Sequence, residues 1–145
     1  MAITPEDTYT KILNKIKSIF RNEFGASVPV YVGHETRPQG SQYIRLDPVG
    51  SELVEMLTHG ETKEYTINMF YYFLDKNINI SALEHVLRYT SRIEALVQNN
   101  RATTLSDSSN LFNCKIEATE LNALEEENEY VVLLVWKGQH TGNIS

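Results

Sequence analysis

A chain of 145 residues, 41% hydrophobic and 22% charged, is long enough for one domain with its own core and needs neither disulfides nor metal to hold it. Its 13 basic and 19 acidic side chains leave a net charge of −6, a poor basis for gripping nucleic acid, which takes clustered Lys and Arg. A single cysteine, Cys114, excludes an internal disulfide and fits a reducing compartment, and no apolar run nears the roughly 20 residues of a membrane-spanning helix.

The charge is uneven. Residues 1–50 carry six basic and five acidic groups, whereas residues 51–145 carry seven and fourteen. Solubility is the ordinary meaning of such a surplus. Met1–Asp7 has no basic start followed by an apolar run and does not read as a secretory signal.

Thr4-Pro5-Glu6-Asp7 has the composition of a helix start: a hydroxyl cap, a proline for the first turn and two acids for the positive helix end. Tyr9, Ile12, Leu13, Ile16, Ile19, Phe20 and Phe24 follow at helical spacing, and Gly25 is placed to end the helix, predicted over 5–24. Residues 28–32 read as a short strand, placed at an edge because Pro29 cannot donate to a ladder. A polar loop over 33–40 precedes a strand over 42–46, which Asp47-Pro48-Val49-Gly50 is expected to break.

Residues 52–57 and 63–74 read as two strands joined around His59-Gly60-Glu61-Thr62. In the second, Tyr65, Ile67, Met69, Tyr71 and Phe73 share one face, while the other starts polar and turns aromatic at Phe70 and Tyr72. Ser81 and Glu84 have capping-box spacing, and Leu83, Val86, Leu87, Ile93, Leu96 and Val97 form the stripe of a second helix ending near Asn99. After a polar loop over 103–110, Phe112, Cys114, Ile116 and Ala118 alternate with polar residues as a half-buried strand. An acidic connection over 120–128 leads to a last strand over 129–137, apolar on both faces and therefore central. The polar residues 138–145 read as a loose tail. The expected architecture is α+β: one domain over 1–145, with two helices on one face of a mostly antiparallel sheet of about six strands.

No phosphate loop, CxxC, HExxH or G-x-S-x-G occurs, so no enzyme class, cofactor or metal is indicated. His34, His59, His85 and His140 have no metal-pair spacing, and isolated surface histidines are the ordinary reading. Cys114 sits beside Phe112 and Ile116 on the apolar side of its strand, where a cysteine is usually a small buried hydrophobe. Glu125, Glu126 and Glu127 suit a solvated turn first, a charged contact with a partner second and a cation third, since no Gly supplies the bend of a calcium loop. Tyr71 and Phe73 are assigned to the core and Tyr72 to a contact surface, because one strand cannot turn both faces to the same helix layer.

The order of elements resembles that of the tail terminator (tail completion) proteins of tailed bacteriophages. The likeness runs through the opening helix, Val28-Pro29-Val30-Tyr31-Val32, Tyr43-Ile44-Arg45-Leu46, the strand ending Met69-Phe70-Tyr71-Tyr72-Phe73, the helix over 81–98, and Cys114-Lys115-Ile116-Glu117 leading to Tyr130-Val131-Val132-Leu133-Leu134-Val135-Trp136. It implies a virion protein assembled in the host cytoplasm, forming a ring, commonly of six subunits, that caps the tail tube and offers a docking surface to the neck or head. DNA would pass through the lumen without sequence-specific contact. Another neck or head–tail adaptor is the alternative within this class. A small cytoplasmic ligand-binding or enzymatic α+β domain is the alternative outside it. The hairpin ends and Tyr72 are candidates for subunit contact. Arg37, His59 and Glu61, on loops at strand ends, are candidates for contact with tail tube or neck.

Overall fold

The computed structural model describes residues 8–25, 28–33, 42–58, 60–74, 80–106, 108–124 and 129–143. In chain order the elements are helix α1 (Thr8–Phe24), strands β1 (Val30–Val32), β2 (Gln42–Leu57) and β3 (Gly60–Leu74), helix α2 (Ile80–Asn99), and strands β4 (Thr103–Thr104), β5 (Asn110–Leu124) and β6 (Glu129–Asn143). One sheet holds all six strands in the order β1-β2-β3-β6-β5-β4. The short β1–β2 pair is parallel and every other pair is antiparallel. This is the expected α+β architecture with a predominantly antiparallel sheet.

Both helices bury an apolar stripe. In α1 these residues are Ile12, Leu13, Ile16, Phe20 and Phe24, and the helix ends where Gly25 adopts φ 61°, a left-handed conformation that glycine takes without strain. The expected start at Thr4-Pro5 lies outside the described residues. In α2 the buried set is Ala82, Val86, Thr90, Ile93 and Val97. Leu87, expected in the stripe, is exposed, and Thr90 takes an inward position by bonding its hydroxyl to the Val86 carbonyl at 2.8 Å. Asn100 closes the helix, its side-chain amide donating to the Leu96 carbonyl at 2.8 Å.

These stripes face the inner side of the sheet, where Ile44, Leu46, Ile67, Met69, Tyr71, Val132, Leu134 and Trp136 are buried in the same core cluster. Strand β6 lies between β3 and β5, which is why it is apolar on both faces, and β1 lies at the edge.

Several boundaries differ from the sequence reading. Asp47-Pro48-Val49-Gly50 does not end a strand: β2 runs through it, with a bulge between Pro48 and Gly50. β1 ends at Val32 opposite Leu46, so Pro48 sits where β2 has become an edge strand and a missing donor is tolerated. The acidic connection is strand as far as Leu124, and the expected loose tail is strand to Asn143, paired with β3. Polar sequence is no bar to a strand whose backbone bonds are completed by a neighbour.

Within β5 the inward residues are Leu111 and Cys114, three apart, rather than the alternating Phe112 and Cys114. The strand shifts register between Phe112 and Lys115, and Asn113 adopts φ 52°, so one extra residue is taken up there.

Candidate protein-contact surfaces

Adjacent residues of β3 point to opposite sides of the sheet, and their fates differ. Tyr71 is fully buried inward, stacked on Tyr89 of α2 at 5.8 Å between ring centroids, and its hydroxyl donates to Gln42 Oε1 at 2.7 Å. Burial among apolar groups drives its phenol well above the ordinary range, with Tyr89 adding to the effect. His85 packs between Phe73 and Tyr89, 4.5 Å from each ring, with Nε2 3.2 Å from Gln42 Oε1. Burial, then the nearby Arg88, lowers its pKa, so it is held neutral. It is part of the aromatic packing rather than the surface histidine expected. His140, expected in a tail, is buried with Nε2 2.9 Å from the Ser109 hydroxyl.

Tyr72 points outward. It stacks on Tyr43 of β2 at 4.5 Å with the rings 16° from parallel, and Tyr43 in turn meets Tyr31 of β1 edge-on at 6.1 Å. Arg45 lies over Phe70 at 4.8 Å and near Tyr72 at 5.4 Å, oriented by a 3.1 Å bond from its Nε to Asp47 Oδ2. Cross-strand pairing extends this patch onto β6: Val131 opposes Tyr72, Leu133 opposes Phe70 and Val135 opposes Asn68. Every one of these side chains is half-buried, sheltered by its neighbours in the sheet. The Tyr43 phenol is pushed up to about 12, first by burial and then by Tyr72 and Glu129.

A second apolar surface lies on the distal stretch of β2. Val49, Leu53, Val54, Met56 and Leu57 are between 41% and 61% exposed. They alternate with Glu52 and Glu55 and carry no cation among them. The root of this stretch is clamped to α1 by Tyr9. Its hydroxyl accepts from the amides of Val49 at 3.1 Å and Gly50 at 3.0 Å, and its proton points toward the carbonyls of Gly50, at 2.9 Å, and Thr66.

Of the residues singled out by sequence, Glu61 is half-buried on β3 and pairs with Lys63 at 3.3 Å. Glu61 and Tyr72 lie at opposite ends of β3 and share no site. Arg37, His59, Glu125, Glu126 and Glu127 lie outside the described residues. The sequence reading placed Phe70 on the same face as Tyr72 but missed Tyr43 and Leu133, on the neighbouring strands, as their companions. It also missed the apolar stretch of β2, whose signal was hydrophobic residues on both faces of a strand that has no neighbour on one side.

Cys114 is buried against Trp136 and Gly138 on the inner face, and burial pushes its thiol up to about 12. A thiol so far from ionisation is a poor nucleophile at neutral pH. Among the described residues no three His, Cys, Asp or Glu side chains gather in a way that would hold a metal ion.

No protein-family model matches the chain, and no curated protein matches it by sequence. Among solved structures, a chain from the virion of a native gene transfer agent (GTA) particle matches with a TM-score of 0.57, covering 92% of this chain and 91% of that one. At 13% identity the likeness is one of fold.

Proposed function

We propose that this chain is a structural subunit of a tailed, phage-like virion, and that it works by protein–protein contact as a tail terminator. In this reading six copies, or a similar number, form a ring on the end of the tail tube. The ring stops tube growth and presents a docking surface to the neck. The observation that carries it is the end-to-end fold match to a chain of a gene transfer agent virion, on a molecule whose distal β2 is apolar and exposed and whose outer sheet face carries half-buried aromatic and aliphatic side chains. Open apolar patches of this kind mark surfaces completed by another protein.

The protein is placed in the virion, at the tail–neck junction, after folding in the host cytoplasm. Its partners are copies of itself, the tail tube protein and a neck or head-completion protein. DNA passes through the lumen without being read, and neither catalysis nor a cofactor enters the mechanism.

Four measurements test the reading. Mass spectrometry of purified particles should find the protein, and electron microscopy of the pure protein mixed with tail tubes should show it at one end. Particles made without it should carry tails of uncontrolled length. Normal tails that fail to join heads would point instead to a neck adaptor. Charge reversal at Arg37 and at Glu61 should leave folding nearly unchanged and disturb tail length or head joining. Normal infectious particles from both reversals would show that neither position meets a partner.

A further inference from the structure

Each edge of the sheet is covered at one end only. β1 pairs with β2 over Ile44–Leu46 and Tyr9 takes up the amides of Val49 and Gly50, so among the described residues the β2 edge is unpartnered from Ser51 onward. β4 pairs with β5 at Asn110 and Leu111 and the Cys114 amide donates to the Arg101 carbonyl, so among the same residues the β5 edge is unpartnered from Lys115 onward. Every residue from Ser51 to Leu57 and from Glu117 to Ala123 is exposed. Open edges of this kind present backbone donors and acceptors to another strand.

We propose that the Ser51–Glu55 edge of one copy pairs antiparallel with the Lys115–Thr119 edge of the next, so that one sheet runs on from copy to copy. The inference rests on the reading that the protein forms a ring, and it names the contact. The long strands alternate in direction across the order β2-β3-β6-β5. Copies related by rotation about a ring axis therefore bring β5 beside the next β2 in opposite directions, with the same faces inward.

Faces and charge choose the register. Glu52 and Glu55 oppose Glu64 and Thr62 on the outer face, and Lys115 and Ala118 oppose Lys137 and Val135 there. Pairing Ser51 with Thr119, Glu52 with Ala118 and Glu55 with Lys115 keeps like faces together. It also sets the β2 irregularity at Leu53/Glu55 beside the β5 irregularity at Ile116/Ala118. A slip of two residues one way puts Glu52 against Glu120 and Glu55 against Glu117, and a slip the other way puts outward Glu52 against inward Ile116. In the chosen register those like charges are only diagonal neighbours, at roughly 7–8 Å. Glu117 is matched inside its own copy by Lys137 at 2.7 Å, Lys137 also lies 3.9 Å from Glu64, and Lys63 pairs with Glu61 at 3.3 Å.

The register also fits a closed ring. Within one copy Gly50 lines up with Thr66, Lys137 and Lys115, whereas across the seam it lies level with Glu120. That offset is about 16 Å along the strands for about 19 Å across four of them. It tilts the strands by about 40°, as in closed β-barrels.

Crosslinking and charge exchange test it. Glu52→Cys with Ala118→Cys sets two thiols opposite each other across the seam. Both positions are exposed, and circular dichroism with thermal melting checks that each variant folds. At about 100 µM, a concentration that populates contacts of micromolar affinity, a short bismaleimide should link the double variant into a ladder of multimers. Each single variant should stay unlinked, because Cys114 is buried, and a mixture of the two should stop at a dimer. In sedimentation velocity, Glu55→Lys and Lys115→Glu should each weaken association about fivefold, and the two together should restore it. Dimers from Glu52→Cys alone would mean that two β2 edges meet, which overturns the inference. So would a double variant left unlinked both in solution and in purified particles, or a charge exchange that fails to restore association. A protein present in particles without the crosslink would leave the virion reading standing while this contact falls. Crosslinked multimers of a protein absent from particles would do the reverse.

Discussion

Tyr71 and Tyr72 are neighbours of one residue type on one strand, yet they belong to two different surfaces. On the inner face Tyr71 is closed in by α2, its hydroxyl satisfied by Gln42 and its ring stacked on Tyr89. On the outer face Tyr72 has the same aromatic character and similar stacking, on Tyr43, with the Arg45 guanidinium at 5.4 Å, and no helix among the described residues covers it as α2 covers Tyr71. The inner face is a finished core and the outer face an unfinished one. Burial that folding completes appears as stability, whereas burial left incomplete is available for binding.

The sharpest test of that contrast is truncation on each side. Tyr71→Ala should lose about 3–5 kcal/mol in chemical denaturation, the range for emptying a large aromatic site in a core. A loss below about 1 kcal/mol would mean that the inner face is not the core. Gly138→Ala comes next. A methyl there would stand 2.5 Å from the Trp136 ring and 3.2 Å from Cys114 Sγ. Overpacking of this kind should cost about 1–3 kcal/mol, read from the same denaturation curves.

Tyr9→Phe takes the acceptor from the Val49 and Gly50 amides at the root of the open β2 stretch. It should cost about 1–2 kcal/mol and speed amide exchange at those two positions more than in β3. Equal acceleration everywhere would show that Tyr9 supports the core in general and not this junction.

His85 gives the contrast a pH dependence. Its folded pKa is depressed below the ordinary imidazole value of about 6.5, so the unfolded chain binds the proton more readily. The contribution of the neutral ring is present above that ordinary value and is lost as the pH falls from there through the folded pKa. Wild-type melting temperature should therefore drop more steeply on acidification below about 6.5 than that of His85→Phe. Parallel curves would remove His85 from the account.

The smallest effect on stability is expected at Tyr72→Ala, about 1 kcal/mol or less, because its ring is only half-covered. Its effect on assembly or on particle yield should be much larger. A Tyr72 variant that assembles like the parent would show that the outer face is not a contact surface.

Local pattern carried much of the fold. The spacing of Ile12, Ile16 and Phe20 determines a helix wherever the chain places it, and alternation from Tyr65 to Phe73 determines which side of β3 is inward. Apolar residues on both faces of residues 129–137 required a neighbour on each side, and Pro29 required an edge. These are constraints on single elements, and the amino acids meet them without reference to the rest of the chain. Tertiary structure decided what depended on a neighbour. A bulge carries β2 through Pro48 and Gly50, residues that read locally as a turn. Backbone partners extend β5 and β6 into polar sequence, and the left-handed Asn113 sets Leu111 and Cys114 on one face. What covers the inward face was also decided there. Tyr71 and Tyr72 are the same residue type, and the position of the helix layer, which can lie on one side of the sheet, is what buries one ring and leaves the other half-covered.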